Sequence, residues 1–116
     1  MAHDGQDMTM MNAPVLLDDL LALTGAAVGP VEKVLEKAKT AVRQTVSVGD
    51  RVSNELVEAN QTAAHGLAWL ATYTESLRQM QGWAEKMQAE GKFGEVEQLI
   101  HQIAFGEYLW QIYGGI

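Results

Sequence analysis

The sequence predicts an all-α fold, a three- or four-helix antiparallel bundle built around one long helix. Three observations carry that expectation. Apolar residues from Leu56 to Met87 recur at alternating threes and fours with no proline among them. Two earlier stretches, 15–28 and 31–46, also repeat their apolar residues at helical spacing. No segment alternates apolar and polar residues as a half-buried strand would.

The first 13 residues, rich in Met, Asp and Gly, have no periodicity and are expected to be disordered. Residues 14–116 then form a single helical domain. Pro14 suits a first helical position because it needs no donor there. Behind it Leu16, Leu17, Leu20, Leu21 and Leu23 make a broad apolar face, giving a short helix to about Val28. Pro30 restarts or kinks the chain. Val31, Val34, Leu35, Ala38, Ala41, Val42 and Thr45 follow as a second amphipathic helix to about Val46.

Gly49 and Asp50 break the pattern, and Ser53 then stands as an N-cap, with Val52 and Val57 spaced as a hydrophobic staple. From Asn54 to Glu90 one helix is expected, with a seam of Leu56, Ala59, Ala63, Gly66, Leu70, Tyr73, Leu77, Met80, Ala84 and Met87. At 1.5 Å per residue it would span about 55 Å, more than the chain's short helices can wrap. Gly91 is the expected left-handed C-cap. Glu95 and Glu97 favour a new N-terminus through the macrodipole, so the last helix should run from Glu95 to about Tyr113, with Gly114 and Gly115 ending it. Gly66, Gly82 and Gly106 fall inside helices at a cost of ~1 kcal/mol each relative to alanine. Close helix crossing is the expected compensation.

Composition excludes several functions. The net charge is −7, and the only basic cluster is Lys33, Lys37, Lys39 and Arg43, set beside Glu32 and Glu36, so no nucleic-acid partner is expected. Cysteine is absent, which removes disulfides, thiolate metal sites and cysteine nucleophiles. The opening residues lack the basic and apolar regions of a signal peptide. The apolar C-terminal stretch is interrupted by His101, Gln102, Glu107 and Gln111, so no membrane partner is expected. These features read as cytoplasmic.

Glu97 and His101, and Glu58 and His65, share helical faces, but the Glu-x-x-His spacing of dimetal bundles is missing and no metal site is expected. Ser53 and Ser76 lack a nucleophile elbow, and no glycine-rich phosphate loop is present. Trp69, Trp83, Trp110, Tyr73, Tyr108 and Tyr113 could stack on a planar cofactor. At helical spacing they read first as core or interface.

Residues 51–116, above all "AAHGLAWLATY", "EGKFGEVEQLI" and "QIAFGEYLWQIYGGI", resemble the N-terminal extension of the methylsuccinyl-CoA dehydrogenase group of acyl-CoA dehydrogenases. Residues 14–50 match it only in general character. The resemblance implies a flavoprotein oxidoreductase in which FAD accepts hydride from an acyl-CoA while a glutamate removes the α-proton. Neither the FAD-contacting segments nor that glutamate lies in the extension, so no catalytic, cofactor-binding or metal residue is carried over to this chain.

The apolar C-terminal end completes the reading. Val96, Leu99, Ile103, Gly106, Trp110 and Tyr113 form one stripe, while Ile100, Phe105, Leu109, Ile112 and Ile116 spread apolar surface around the helix. One neighbour cannot cover both. Ile100, Phe105, Leu109, Trp110, Ile112 and Tyr113 are therefore expected at an interface with a downstream dehydrogenase body or a second subunit, in a homo-oligomer. The alternative is a free-standing helical protein–protein interaction module.

Overall fold

Asp19 takes a left-handed conformation (φ 57°) and turns the chain into α1, Leu20–Val46, whose first backbone bond runs from Leu23 N–H to the Asp19 carbonyl. The computed structural model describes residues 16–114. The expected disorder of residues 1–13 and the helix start at Pro14 lie outside them. Leu16 and Leu17 precede α1 rather than belonging to it.

One helix replaces the two expected before residue 47, with Pro30 inside it. A proline there leaves the Ala26 carbonyl without its intrahelical donor. Ala26, Gly29 and Pro30 are all exposed, so water can serve that carbonyl and the ladder resumes one turn later.

The break at 47–53 is a small hairpin. Strands β1, Ser47–Val48, and β2, Arg51–Val52, pair antiparallel with Ser47 opposite Val52. Gly49 has φ 60° at the first of the two loop positions, where a II′ turn places glycine. Ser53 caps α2, Asn54–Ala59, its Oγ accepting from Leu56 N–H at 3.3 Å, as expected. Val52 stays exposed.

The long helix is interrupted. Asn60 (φ −121°, ψ 37°) separates α2 from α3, Gln61–Ala89. Its side-chain amide donates to the Leu56 carbonyl at 2.8 Å, the competition with backbone bonding that makes asparagine a helix breaker. At its 29 residues α3 is about 44 Å long, shorter than expected. Gly91 closes it as expected, with φ 70° and the paired bonds Lys92 N–H to Met87 O and Gly91 N–H to Gln88 O. The final helix, α4, is Glu95–Gly114.

Helix α3 packs antiparallel to both α1 and α4, Thr24 meeting Gln81 and Tyr73 meeting Tyr108, and α1 touches α4 directly where Thr24 meets His101. The fold is an all-α bundle, drawn out to 70 × 33 × 17 Å. With helices ~10–12 Å across, that thickness leaves outer faces open to solvent.

Two apolar clusters hold the layer. Leu20, Ala84 and Phe93 make one, with Leu21 and Met87 against them. Val31, Leu77 and Phe105 make the other, lined by Ala27, Val28, Met80, Tyr108, Leu109 and Ile112. The buried line of α3 is Leu70, Thr74, Leu77, Gln81 and Ala84. It shares every seventh residue with the expected seam, but Thr74 and Gln81 stand where Tyr73 and Met80 were expected. Ala59 and Ala63, beside the Asn60 break, are exposed.

Candidate functional site

A polar layer separates the two apolar clusters, with one residue from each main helix. Thr24 of α1 lies 2.5 Å from Gln81 Oε1 of α3 and 3.0 Å from His101 Nε2 of α4. The Gln81 amide donates to the Leu21 carbonyl at 3.1 Å and to Glu85 at 3.0 Å. The Thr24 hydroxyl proton is claimed by two carbonyl-type acceptors, Gln81 Oε1 and the Leu20 oxygen at 3.1 Å, so the tautomer that completes the layer has His101 donating to Thr24 through Nε2–H. Its Nδ1 is then a bare acceptor, buried without a partner, beneath Phe105, Phe93 and Trp83 at ring separations of 4.8, 5.9 and 6.4 Å. Burial holds the His101 pKa below its ordinary value, keeping the ring neutral.

Gly25 makes this layer possible. A Cβ there would stand 3.1 Å from Gln81 Nε2. The close crossing expected at Gly66, Gly82 and Gly106 occurs instead at Gly25, since Cβ atoms at those three would meet nothing within 4 Å. Outside the layer, Arg78 of α3 donates to Glu32 of α1 at 2.8 Å and to Glu75 at 3.1 Å. Its pKa is raised by the hydrogen bond to Glu32 and then by that to Glu75.

The histidine pairs behave separately. His65 is exposed, and its Nε2 accepts from Trp69 Nε1–H at 2.8 Å. His101 turns into the core. Among the described residues no cluster of three or more His, Cys, Asp or Glu could hold a metal ion. The aromatics divide into three sets. His65, Trp69, Tyr73 and Tyr108 form a ladder with ring separations of 6.0, 5.7 and 5.2 Å. Part of it, with Gln61, Thr62 and Gln111, lines an open groove of about 850 Å³. Trp83 packs on Phe93 and His101. Trp110 and Tyr113 point outward.

The residues expected at an interface also separate. Phe105 is only 2% exposed and belongs to the chain's own core, with Leu109 and Ile112 packed beside it. Its cover comes from α1 and α3. Ile100, Trp110 and Tyr113 lie on the outer face, together with Val96 and Ile103, each more than half exposed. The helical positions explain the split: 101, 105, 108 and 112 face inward, and 96, 103 and 110 face the opposite way.

The chain is 53% identical over 106 residues, 91% of its length, to the (2S)-methylsuccinyl-CoA dehydrogenase of Cereibacter sphaeroides. This chain matches part of a methylsuccinyl-CoA dehydrogenase. The resemblance seen in residues 51–116 is real and reaches further, because a match of that length must also include residues 11–50. The chain spans 19% of that relative, so it corresponds to a segment of a larger protein. No family model matches the chain. Among the described residues no helix is long and apolar enough to cross a membrane.

Proposed function

We infer that this chain is a non-catalytic helical segment of a cytoplasmic, FAD-dependent acyl-CoA dehydrogenase of the methylsuccinyl-CoA type, placed N-terminal to the catalytic body. Its role is packing, on that body or at a subunit contact, within a homo-oligomer. The observation that carries this reading is the 53% identity confined to 19% of the relative. The outward apolar side chains of α4 supply the second support, since a helix open on its apolar side calls for a neighbour. In that setting FAD would accept hydride in the parent enzyme, outside this segment.

The test is expression of residues 1–116 beside the full polypeptide. The short chain should be colourless near 450 nm and without dehydrogenase activity, while the full polypeptide binds flavin and oxidises methylsuccinyl-CoA. A yellow 1–116 protein with stoichiometric flavin overturns the reading. The open face of α4 also favours the free-standing interaction module. A stop codon directly after Ile116 would decide for that reading.

A further inference from the structure

Building on that reading, we propose that the outer face of α4 is a docking seam for an apolar helix flanked by Lys and Arg, supplied by the polypeptide beyond this segment. Val96, Ile103 and Trp110 recur every seven residues, with Ile100 and Tyr113 beside them, and these five are 56–73% exposed. A repeat of seven keeps a seam facing one partner helix along its length. Gly106 lies within it, and the open space where its Cβ would stand lets a partner backbone come close.

The size fits a real interface. An aromatic side chain carries ~150–250 Å² of surface, so Trp110 and Tyr113 leave on the order of 250 Å² open. Adding Val96, Ile100 and Ile103 brings the seam to roughly 500–700 Å², near the ~800 Å² per partner of a standard interface.

Charge chooses the occupant. Helix α4 carries Glu95 and Glu107 beside the seam, Glu97 lying on the core side one turn before His101, and has no Lys or Arg. A second copy of α4 would bring acidic flanks together with no Lys or Arg on either helix to offset them. The chain's own basic cluster, Lys33 to Arg43 on α1, cannot serve as the partner surface either. Val34 is the only exposed large apolar residue in that stretch. The matching helix must therefore come from outside residues 1–116, and the relative, of which this chain spans 19%, is long enough to contain it.

The chemistry is tested on residues 1–116 with two synthetic helical peptides of about three heptads that share a leucine seam and differ only in Lys or Glu flanks. The Lys peptide should bind about tenfold tighter or better, and should weaken as salt rises from about 50 to 300 mM. Any self-association of the chain should instead strengthen with salt. The pair Ile103→Ser and Trp110→Ser should abolish peptide binding with an unchanged far-ultraviolet spectrum, and Glu107→Lys should narrow the preference. Equal binding of both peptides, or Lys-peptide binding that survives the serine pair, overturns the proposal.

The source is tested in the full polypeptide with a photo-crosslinking residue at position 110. Crosslinks to a Lys- or Arg-bearing helix beyond residue 116 of the same polypeptide support the assignment. Crosslinks to residues 1–116 of a second copy, or none, overturn it. A stop codon after Ile116 would overturn both the parent reading and the source, while the peptide comparison would still decide the seam's chemistry.

Discussion

Glycine-to-alanine substitution should change sign between Gly82 and Gly25. Both lie inside helices, where alanine is favoured by ~0.5–1 kcal/mol because glycine loses more backbone freedom on folding. A Cβ at Gly82 meets nothing within 4 Å, so Gly82→Ala should realise that gain, and Gly66→Ala the same. At Gly25 the new Cβ would stand 3.1 Å from Gln81 Nε2. A free glutamine would swing aside, but Gln81 is buried and held by Leu21, Glu85 and Thr24. Losing one such buried bond costs ~1–3 kcal/mol. The net effect of Gly25→Ala is then a destabilisation of up to about 2.5 kcal/mol, centred on about 1. Urea melts followed at 222 nm would measure it, in the Ile103→Ser, Trp110→Ser background to suppress association. In a Gln81→Ala chain the same substitution should regain the propensity benefit. A stabilising Gly25→Ala with Gln81 intact would refute the argument that this crossing requires glycine.

Three further outcomes follow from the same geometry. Phe105→Ala should cost about 3–5 kcal/mol in the same melts, because Phe105 fills the centre of a core cluster, whereas Trp110→Ser should leave the isolated chain's stability nearly unchanged. The folded pKa of His101 is depressed, so the unfolded chain binds the extra proton and stability falls as pH drops below about 6.5 toward the lower folded value. Melts between pH 8 and 5 should show this slope, and it should flatten in His101→Gln. Gly91→Val should destabilise by about 1–2 kcal/mol, since a β-branched residue resists the left-handed cap held at φ 70°.

The sequence alone determined the helical class, the seven-residue recurrence of Leu70, Leu77 and Ala84, the Ser53 and Gly91 caps and the bounds of α4. These follow from periodicity and local backbone chemistry, which depend on residues a few positions apart. It also carried the likeness to the dehydrogenase relative, through stretches specific enough to be read directly. Tertiary structure decided what depends on distant partners. Pro30 stays inside α1 on an exposed turn, where water can serve the carbonyl it orphans, whereas Asn60 breaks the long helix through its own side chain. Thr24, Gln81 and His101 are polar, so no hydropathy pattern marks them as core. Only the meeting of three helices supplies the hydrogen bonds that hold them there, all but the one His101 Nδ1 leaves unmade. The two apolar stripes of α4 are equally apolar in sequence. Which became core was settled when α3 and α1 covered Phe105 and left Val96, Ile103 and Trp110 in water.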